Sequence, residues 1–152
     1  MATLKKILQG MVSEPDALTV KIQWKDSYSV NVRRIDAQHK RLLNTINDMK
    51  EWAEDDIPLK IIEHFIKLLS EYTVYHFTTE EKLMHDLSYP RLSEQKAEHK
   101  CFVEKIKLFR EELSKKDDLD KEMLTFLINW FIDHIQKKDR HLGKFLNEKG
   151  IF

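Results

Sequence analysis

Four long stretches of the chain carry apolar residues at the spacing of an α-helix, and this periodicity constrains the fold more than any other feature. Apolar side chains recur every three or four residues over roughly 36–55, 58–83, 90–114 and 119–147. The 152 residues include only three glycines and three prolines, so few positions interrupt these stretches. Short connections favour antiparallel neighbours. The sequence therefore predicts an all-α, up-down-up-down four-helix bundle with an extended N-terminal arm.

Two segments precede the predicted helices. We expect the first, residues 1–20, to be an N-terminal extension, and the second to belong to a single domain over 21–152. The extension has the apolar stripe of a short amphipathic helix, which we interpret as a loosely docked arm; the alternative is an anchor for a membrane or a partner. Residues 21–35 alternate like a strand but have no hairpin partner. They predict an extended arm over the bundle, with Trp24 as its apolar anchor.

Composition argues against several classes of partner. The chain has 26 Lys+Arg and 26 Asp+Glu, so its charge gives no reason to expect nucleic acid or an anionic membrane. No apolar run reaches transmembrane length, and the N-terminus lacks the apolar core of a signal peptide. Cys101 is the only cysteine, which excludes an internal disulfide and fits a reducing compartment. We expect a cytoplasmic protein in which Cys101 packs as a small hydrophobe.

Histidine and carboxylate side chains interrupt the apolar stripes of the predicted helices. His76 and Glu80 are four residues apart and therefore share one helical face, while His39, His99 and His134 fall on the stripes of the other three helices. A buried carboxylate without a partner is costly, so Glu80 predicts a nearby cation. Such ligands from four helices favour a di-iron site. Zinc or manganese accept the same ligands, and a metal-free interaction module is the remaining alternative.

Two further polar residues lie close to these histidines in sequence. Asp139 follows His134 by five residues, about 140° round a regular α-helix, so the two are expected to flank a central object from opposite sides. Gln95 precedes His99 by four residues and shares its face. A buried glutamine there is a structural hydrogen-bonder, an oxygen ligand to a metal, or a neighbour of metal-bound water.

The order and spacing of these residues resemble the hemerythrin family in its bacterial form, over roughly residues 22–147. The resemblance depends on four motifs: Ile35-Asp36-Ala37-Gln38-His39, His76-Phe77-x-x-Glu80, Tyr89-Pro90 followed by Glu98-His99, and His134-Ile135-x-x-x-Asp139. It implies a four-helix bundle around a non-haem di-iron centre. The two Fe ions would be bridged by an oxo or hydroxo group and by two carboxylates, those of Glu80 and Asp139.

The resemblance also implies how the other ligands are divided between the two irons. His39 and His76 would bind one iron, which keeps an open position for O2, and His99 and His134 would bind the other. The family's third histidine on that second iron would stand at position 95, where this chain has Gln95. An amide oxygen is a weaker ligand than imidazole, so this iron is expected to be held less firmly. There are three alternatives for this iron: Gln95 binds it through the amide oxygen, a water molecule takes the ligand position, or the iron is lost or exchanged.

By this resemblance the chain is expected to bind O2 reversibly, for storage, delivery or sensing, and to have no catalytic residues. An apolar pocket beside the ligands favours a small neutral gas over charged substrates. Its expected lining is Leu42, Phe77, Trp130, Phe131 and Ile135. We interpret the chain as an oxygen-binding protein; the alternative is a di-iron oxidase or peroxide-consuming enzyme with a labile iron at the Gln95 side. Sensing would require a separate, unidentified protein partner for signalling.

Overall fold

A computed structural model describes residues 20–52, 57–115 and 119–152 of the chain, so the amphipathic helix predicted within residues 1–20 lies almost entirely outside them. The described part is helical and contains no strand. Its elements are α1 (Arg33–Trp52), α2 (Leu59–Asp86), α3 (Leu92–Glu112) and α4 (Leu119–His134), the last continuing through a π-helical segment (Ile135–Asp139) into α5 (Arg140–Glu148). These elements form four rods, because α4, the π-helical segment and α5 follow one another without a break. The predicted four-helix bundle is confirmed.

The arm before α1 is extended except for one 3₁₀ turn at Asp26–Tyr28. The Ile22 N–H donates to Oδ1 of Asn47 at 2.8 Å, and the Asn47 amide donates back to the Ile22 carbonyl at 2.9 Å. Trp24 is half-buried against the core, with the Lys40 ammonium 5.0 Å from its ring centroid. The arm is therefore fixed along α1, and the prediction that Trp24 anchors it is confirmed.

The first helix begins earlier than the sequence predicted. It starts at Arg33, whereas the apolar periodicity predicted a start near Asp36; the predicted end near residue 55 lies outside the described residues. The Asp36 carboxylate instead accepts hydrogen bonds from the Ser29 hydroxyl at 2.5 Å and from the Val30 N–H at 2.8 Å. A short acidic side chain can bond N–H groups on either side of a helix start. Here it stabilises the turn that leads into the helix.

Helical periodicity identified most of the buried face, with two errors at its edge. Ile61 and Leu68 belong to the apolar repeat over 58–83 but are 47% and 50% exposed. At 100° per residue they lie about 100° and 120° round α2 from the buried Glu80, beyond the edge of the buried face. Cys101 was expected to pack inside but is exposed, because it lies about 200° round α3 from the buried His99.

No helix in the described ranges is both long enough and apolar enough to cross a membrane.

Candidate metal centre

Six buried histidine, glutamate and aspartate side chains from all four rods meet inside the bundle. They form two groups, and within each group one nitrogen or oxygen atom of every residue lies within 4.8 Å of the others. We name these groups the first position, made by His39, His76, Glu80 and Asp139, and the second position, made by Glu80, His99, His134 and Asp139. Glu80 and Asp139 belong to both. The arrangement is that of two adjacent metal positions that share two carboxylates.

Glu80 is placed between the two positions by the regular geometry of α2. Its Oε1 lies 3.3 Å from Nε2 of His76, four residues earlier on the same face, and 3.6 Å from Nε2 of His39. Its Oε2 points the other way, to Nε2 of His99 at 3.3 Å. One carboxylate oxygen is thus available to each position.

Asp139 reaches the centre because the fourth rod leaves α-helical geometry. Its Oδ1 lies 3.2 Å from Nε2 of His134, and its Oδ2 lies 3.1 Å from Nε2 of His39. The expectation that His134 and Asp139 approach from opposite sides was wrong. The π-helical segment over Ile135–Asp139 has hydrogen bonds from residue i to residue i+5, which brings residues five apart onto one face. Asp139 therefore stands next to His134.

Gln95, on α3, lies beside the second position. It is 1% exposed, and its amide Nε2 donates to Oδ1 of Asp139 at 3.2 Å, the same oxygen that Nε2 of His134 approaches. The amide Oε1 is buried and has no hydrogen-bond partner in the part of the chain that the structure describes. Gln95 therefore lies among the second-position residues and not elsewhere in the core.

The chemistry of these buried atoms fits a pair of cations. Among the described residues, both Glu80 oxygens, Oδ2 of Asp139 and the Nε2 atoms of His39, His99 and His134 are buried and lack a hydrogen bond. Buried polar atoms are almost always hydrogen-bonded, and a buried charge needs a counter-charge. At the two positions the unpaired atoms are imidazole nitrogens and carboxylate oxygens that face one another, with the amide oxygen of Gln95 beside them. A cation in each position would satisfy them.

Electrostatics in the metal-free protein lead to the same conclusion. Burial lowers the pKa of His39 and of His134, but the Asp139 and Glu80 carboxylates outweigh it and raise each pKa to about 9. Burial dominates at His76 and lowers its pKa to about 4. The neighbouring histidines hold the pKa of Asp139 well below its usual range against burial. Without metal, two protonated imidazoles thus neutralise two carboxylates, and metal ions would displace those protons.

Three polar residues that sequence analysis did not assign to the site orient its histidines. The Nδ1–H groups of His76, His99 and His134 donate to Gln38 at 2.8 Å, Glu81 at 2.9 Å and Glu98 at 2.9 Å. These bonds direct each Nε2 toward the centre, as is usual for metal-binding histidines. Each partner directly precedes or follows a predicted ligand in sequence, which is the signal that could have identified it. All three were missed because each bonds a histidine on a neighbouring helix.

Aromatic rings cover the imidazoles on their apolar sides. Phe77 stacks on His99 with ring centroids 3.8 Å apart, and Trp130 stacks on His134 at 4.2 Å. Phe131 meets His39 edge to face at 6.3 Å. Two more of the residues expected to line a pocket, Leu42 and Ile135, are also buried. His64 and His85, which were expected at the surface, are exposed.

Fold and site together define a helical-bundle protein with a buried site for two metal ions. The family model described as Hemerythrin HHE cation binding domain matches residues 30–146, so the chain belongs to the hemerythrin family. Members of this family bind O2 at a di-iron centre. The chain is thus a non-haem di-iron oxygen-binding protein whose cofactor is two Fe ions.

Individual relatives agree with this assignment over most of the chain. A bacteriohemerythrin of Clostridium acetobutylicum is 31% identical over 123 residues, which cover 77% of this chain and 95% of that protein. A myohemerythrin of Theromyzon tessulatum is 28% identical, covering 80% of this chain and 92% of that protein. The crystal structure of a wild-type hemerythrin superposes with a TM-score of 0.75 at 24% identity, covering 82% of this chain and 97% of that chain. This last similarity supports the fold alone.

Proposed function

We propose that residues 21–152 form a domain that binds O2 reversibly, for storage, delivery or sensing, at irons held in the two positions. The observation that carries the proposal is the sharing of Glu80 and Asp139: each presents one oxygen to one position and its other oxygen to the other. When bound, the two irons supply the electrons that O2 binding requires. The single exposed thiol, Cys101, agrees with a reducing compartment such as the cytoplasm.

The proposed ligands divide unequally between the positions. The first position has His39, His76 and one oxygen from each shared carboxylate, which makes four protein ligands. The second has His99, His134, the two carboxylates and Gln95, if the amide turns its oxygen inward, which makes five. The first position therefore has more room for an external ligand. We propose that O2 binds there.

The surroundings of the first position favour a neutral diatomic molecule. Phe131 meets His39 edge to face, and the Phe77 ring centroid lies 5.7 Å from that of His76, so two aromatic rings would give the first position an apolar boundary that excludes water. Small apolar ligands would enter without the desolvation cost that a charged ligand pays.

The test is a cycle of oxygenation and deoxygenation. The reduced protein is prepared without O2, exposed to air and then returned to vacuum while its visible absorption is recorded. We expect an absorption change on exposure that reverses at low O2 pressure over several cycles. A change that never reverses, or none at all in protein loaded with two irons, would contradict reversible O2 binding.

A di-iron oxidase or peroxide-consuming enzyme is the second candidate, and Gln95 is the observation that favours it. Its amide oxygen has no partner, and an amide is a weaker ligand than the imidazole expected there, which would leave the second iron labile. Continuous consumption of O2 or peroxide by the loaded protein in the presence of an added electron donor, beyond one equivalent per chain, would indicate this enzyme. Uptake that stops at one equivalent would indicate the binding protein.

A further inference from the structure

We propose that Glu81 and Glu98 are positioning residues that strengthen the second metal position and compensate for the weak ligand Gln95. The inference depends on the proposed division of ligands between the two positions. It concerns the hydrogen bonds made by the outer nitrogen, Nδ1, of each histidine.

The two positions differ consistently in these outer hydrogen bonds. Both histidines of the second position donate to carboxylates, since Nδ1 of His99 lies 2.9 Å from Glu81 and Nδ1 of His134 lies 2.9 Å from Glu98. In the first position, His76 donates to the neutral amide of Gln38 at 2.8 Å, and Nδ1 of His39 has no partner. Carboxylate partners thus occur only at the position that contains Gln95.

A carboxylate partner makes imidazole a stronger metal ligand. The negative charge attracts the Nδ1 proton, which increases the electron density at Nε2, the atom that faces the metal. A neutral amide has a weaker effect because it carries no net charge. The second position thus contains one weak oxygen ligand and two strengthened nitrogen ligands. Its total donor strength would approach that of a position with three ordinary histidines.

The surroundings of the two carboxylates predict which one matters more. Glu98 also pairs with Lys138 at 3.0 Å, and Lys138 in turn pairs with Glu94, so part of the Glu98 charge is neutralised. Glu81 is 29% exposed, and in the described ranges its only ion-pair or hydrogen-bond partner is His99. Its full charge is therefore directed at one imidazole. We expect Glu81 to contribute more than Glu98.

The experiment is an anaerobic titration of metal-free protein with ferrous iron, in which calorimetry measures the affinity of each binding event. The variants are Glu81→Gln and Glu98→Gln, which keep a hydrogen-bond acceptor of the same shape but remove its charge. Glu104→Gln is the matched control, because Glu104 is an exposed carboxylate on α3 whose one ion pair within the described ranges is with Lys100. Wild-type protein should bind two irons. Glu81→Gln should weaken one of the two binding events about 10–100-fold, Glu98→Gln less, and Glu104→Gln not at all.

A second substitution separates a role in metal binding from a purely structural one. Combining Glu81→Gln with Gln95→His should restore the weakened event, because a third imidazole replaces the lost donor strength. Loss of packing at Glu81 would instead lower the melting temperature of the metal-free protein, and Gln95→His would not correct it.

The outcomes distinguish this inference from the proposed function. Wild-type protein that binds fewer than two irons would overturn the proposed function and this inference with it. A second outcome is that wild-type protein binds two irons, while in Glu81→Gln both binding events keep their affinity or are weakened equally. This outcome would overturn only the role of Glu81 and Glu98. Failure of Gln95→His to restore the weakened event would overturn the compensation.

Discussion

The two metal positions share two carboxylates but differ in almost everything around them. The first has two histidines, one supported by the neutral Gln38 and the other, His39, with an unpaired Nδ1. The second has two histidines supported by carboxylates and, in addition, the amide of Gln95. This difference indicates that the residues facing a metal only partly determine how strongly a site binds it. Outer hydrogen bonds can balance a weak ligand at one position and leave the other more open.

Removing a shared carboxylate should break both positions at once, which is the largest effect expected. Glu80→Gln keeps the shape of the side chain but removes the charge that faces both positions. We expect iron content to fall from two ions per chain to nearly none after desalting, whereas the Glu104→Gln control keeps both. A Glu80→Gln protein that retains one firmly bound iron would contradict sharing.

Removing a histidine that belongs to one position should impair that position and leave the other intact. His76→Ala deletes a ligand of the first position only, so we expect one iron to remain and the absorption change with O2 to disappear. His64→Ala, an exposed histidine on the same helix, is the control and should behave like wild type. If His76→Ala still responded reversibly to O2, the assignment of O2 to the first position would be wrong.

The stability of the metal-free protein should depend on pH, because each position has one histidine with a raised pKa. His39 and His134 have pKa values of about 9 when folded, against 6.5 when unfolded, so their stabilisation is complete below pH 6.5 and is lost as pH rises to 9. The pKa of His76 is lowered to about 4, so stability also falls as pH decreases from 6.5 to 4.

We therefore expect the free energy of unfolding to peak near pH 6.5 and to decrease by a few kcal/mol toward pH 9. Urea unfolding of the metal-free protein at pH 5, 6.5 and 9 measures this. A free energy that rises steadily from pH 6.5 to 9 would show that carboxylates do not hold these histidines in the protonated form.

Gln95→His should make the two positions more alike, with the smallest effect. Because imidazole is the stronger ligand, we expect the second iron to bind about 10-fold more tightly, in the lower part of the range typical of single-partner changes. The reversible response to O2 should persist, since the first position is unchanged. Equal iron affinity in both proteins would mean that Gln95 does not face the metal or is already fully compensated.

Helical periodicity was sufficient to predict the parts of the site that follow regular geometry. His76 and Glu80 are four residues apart, and a regular α-helix leaves them on one face, as the structure has them. Gln95 and His99 follow the same rule on α3 and are both buried. Wherever the helix is regular, spacing alone identified which side chains reach the centre.

Departures from regular geometry and contacts between helices could not be predicted in this way. The five-residue interval from His134 to Asp139 is ambiguous, because it separates the residues on an α-helix and aligns them in a π-helix. The hydrogen bond between His134 and Glu98 joins two helices, and the apolar pattern of one helix does not specify how it is rotated relative to the other. Asp36 was misread because its carboxylate bonds the preceding turn rather than the first turn of α1.

An anomalous-difference map, collected at the iron absorption edge from crystals of the loaded protein, tests directly whether Glu80 and Asp139 share two irons. We expect two peaks of similar height inside the bundle, roughly 3.5–4 Å apart as in other two-metal sites, each within bonding distance of Glu80 and Asp139. A single peak, or peaks that neither carboxylate contacts, would contradict this sharing.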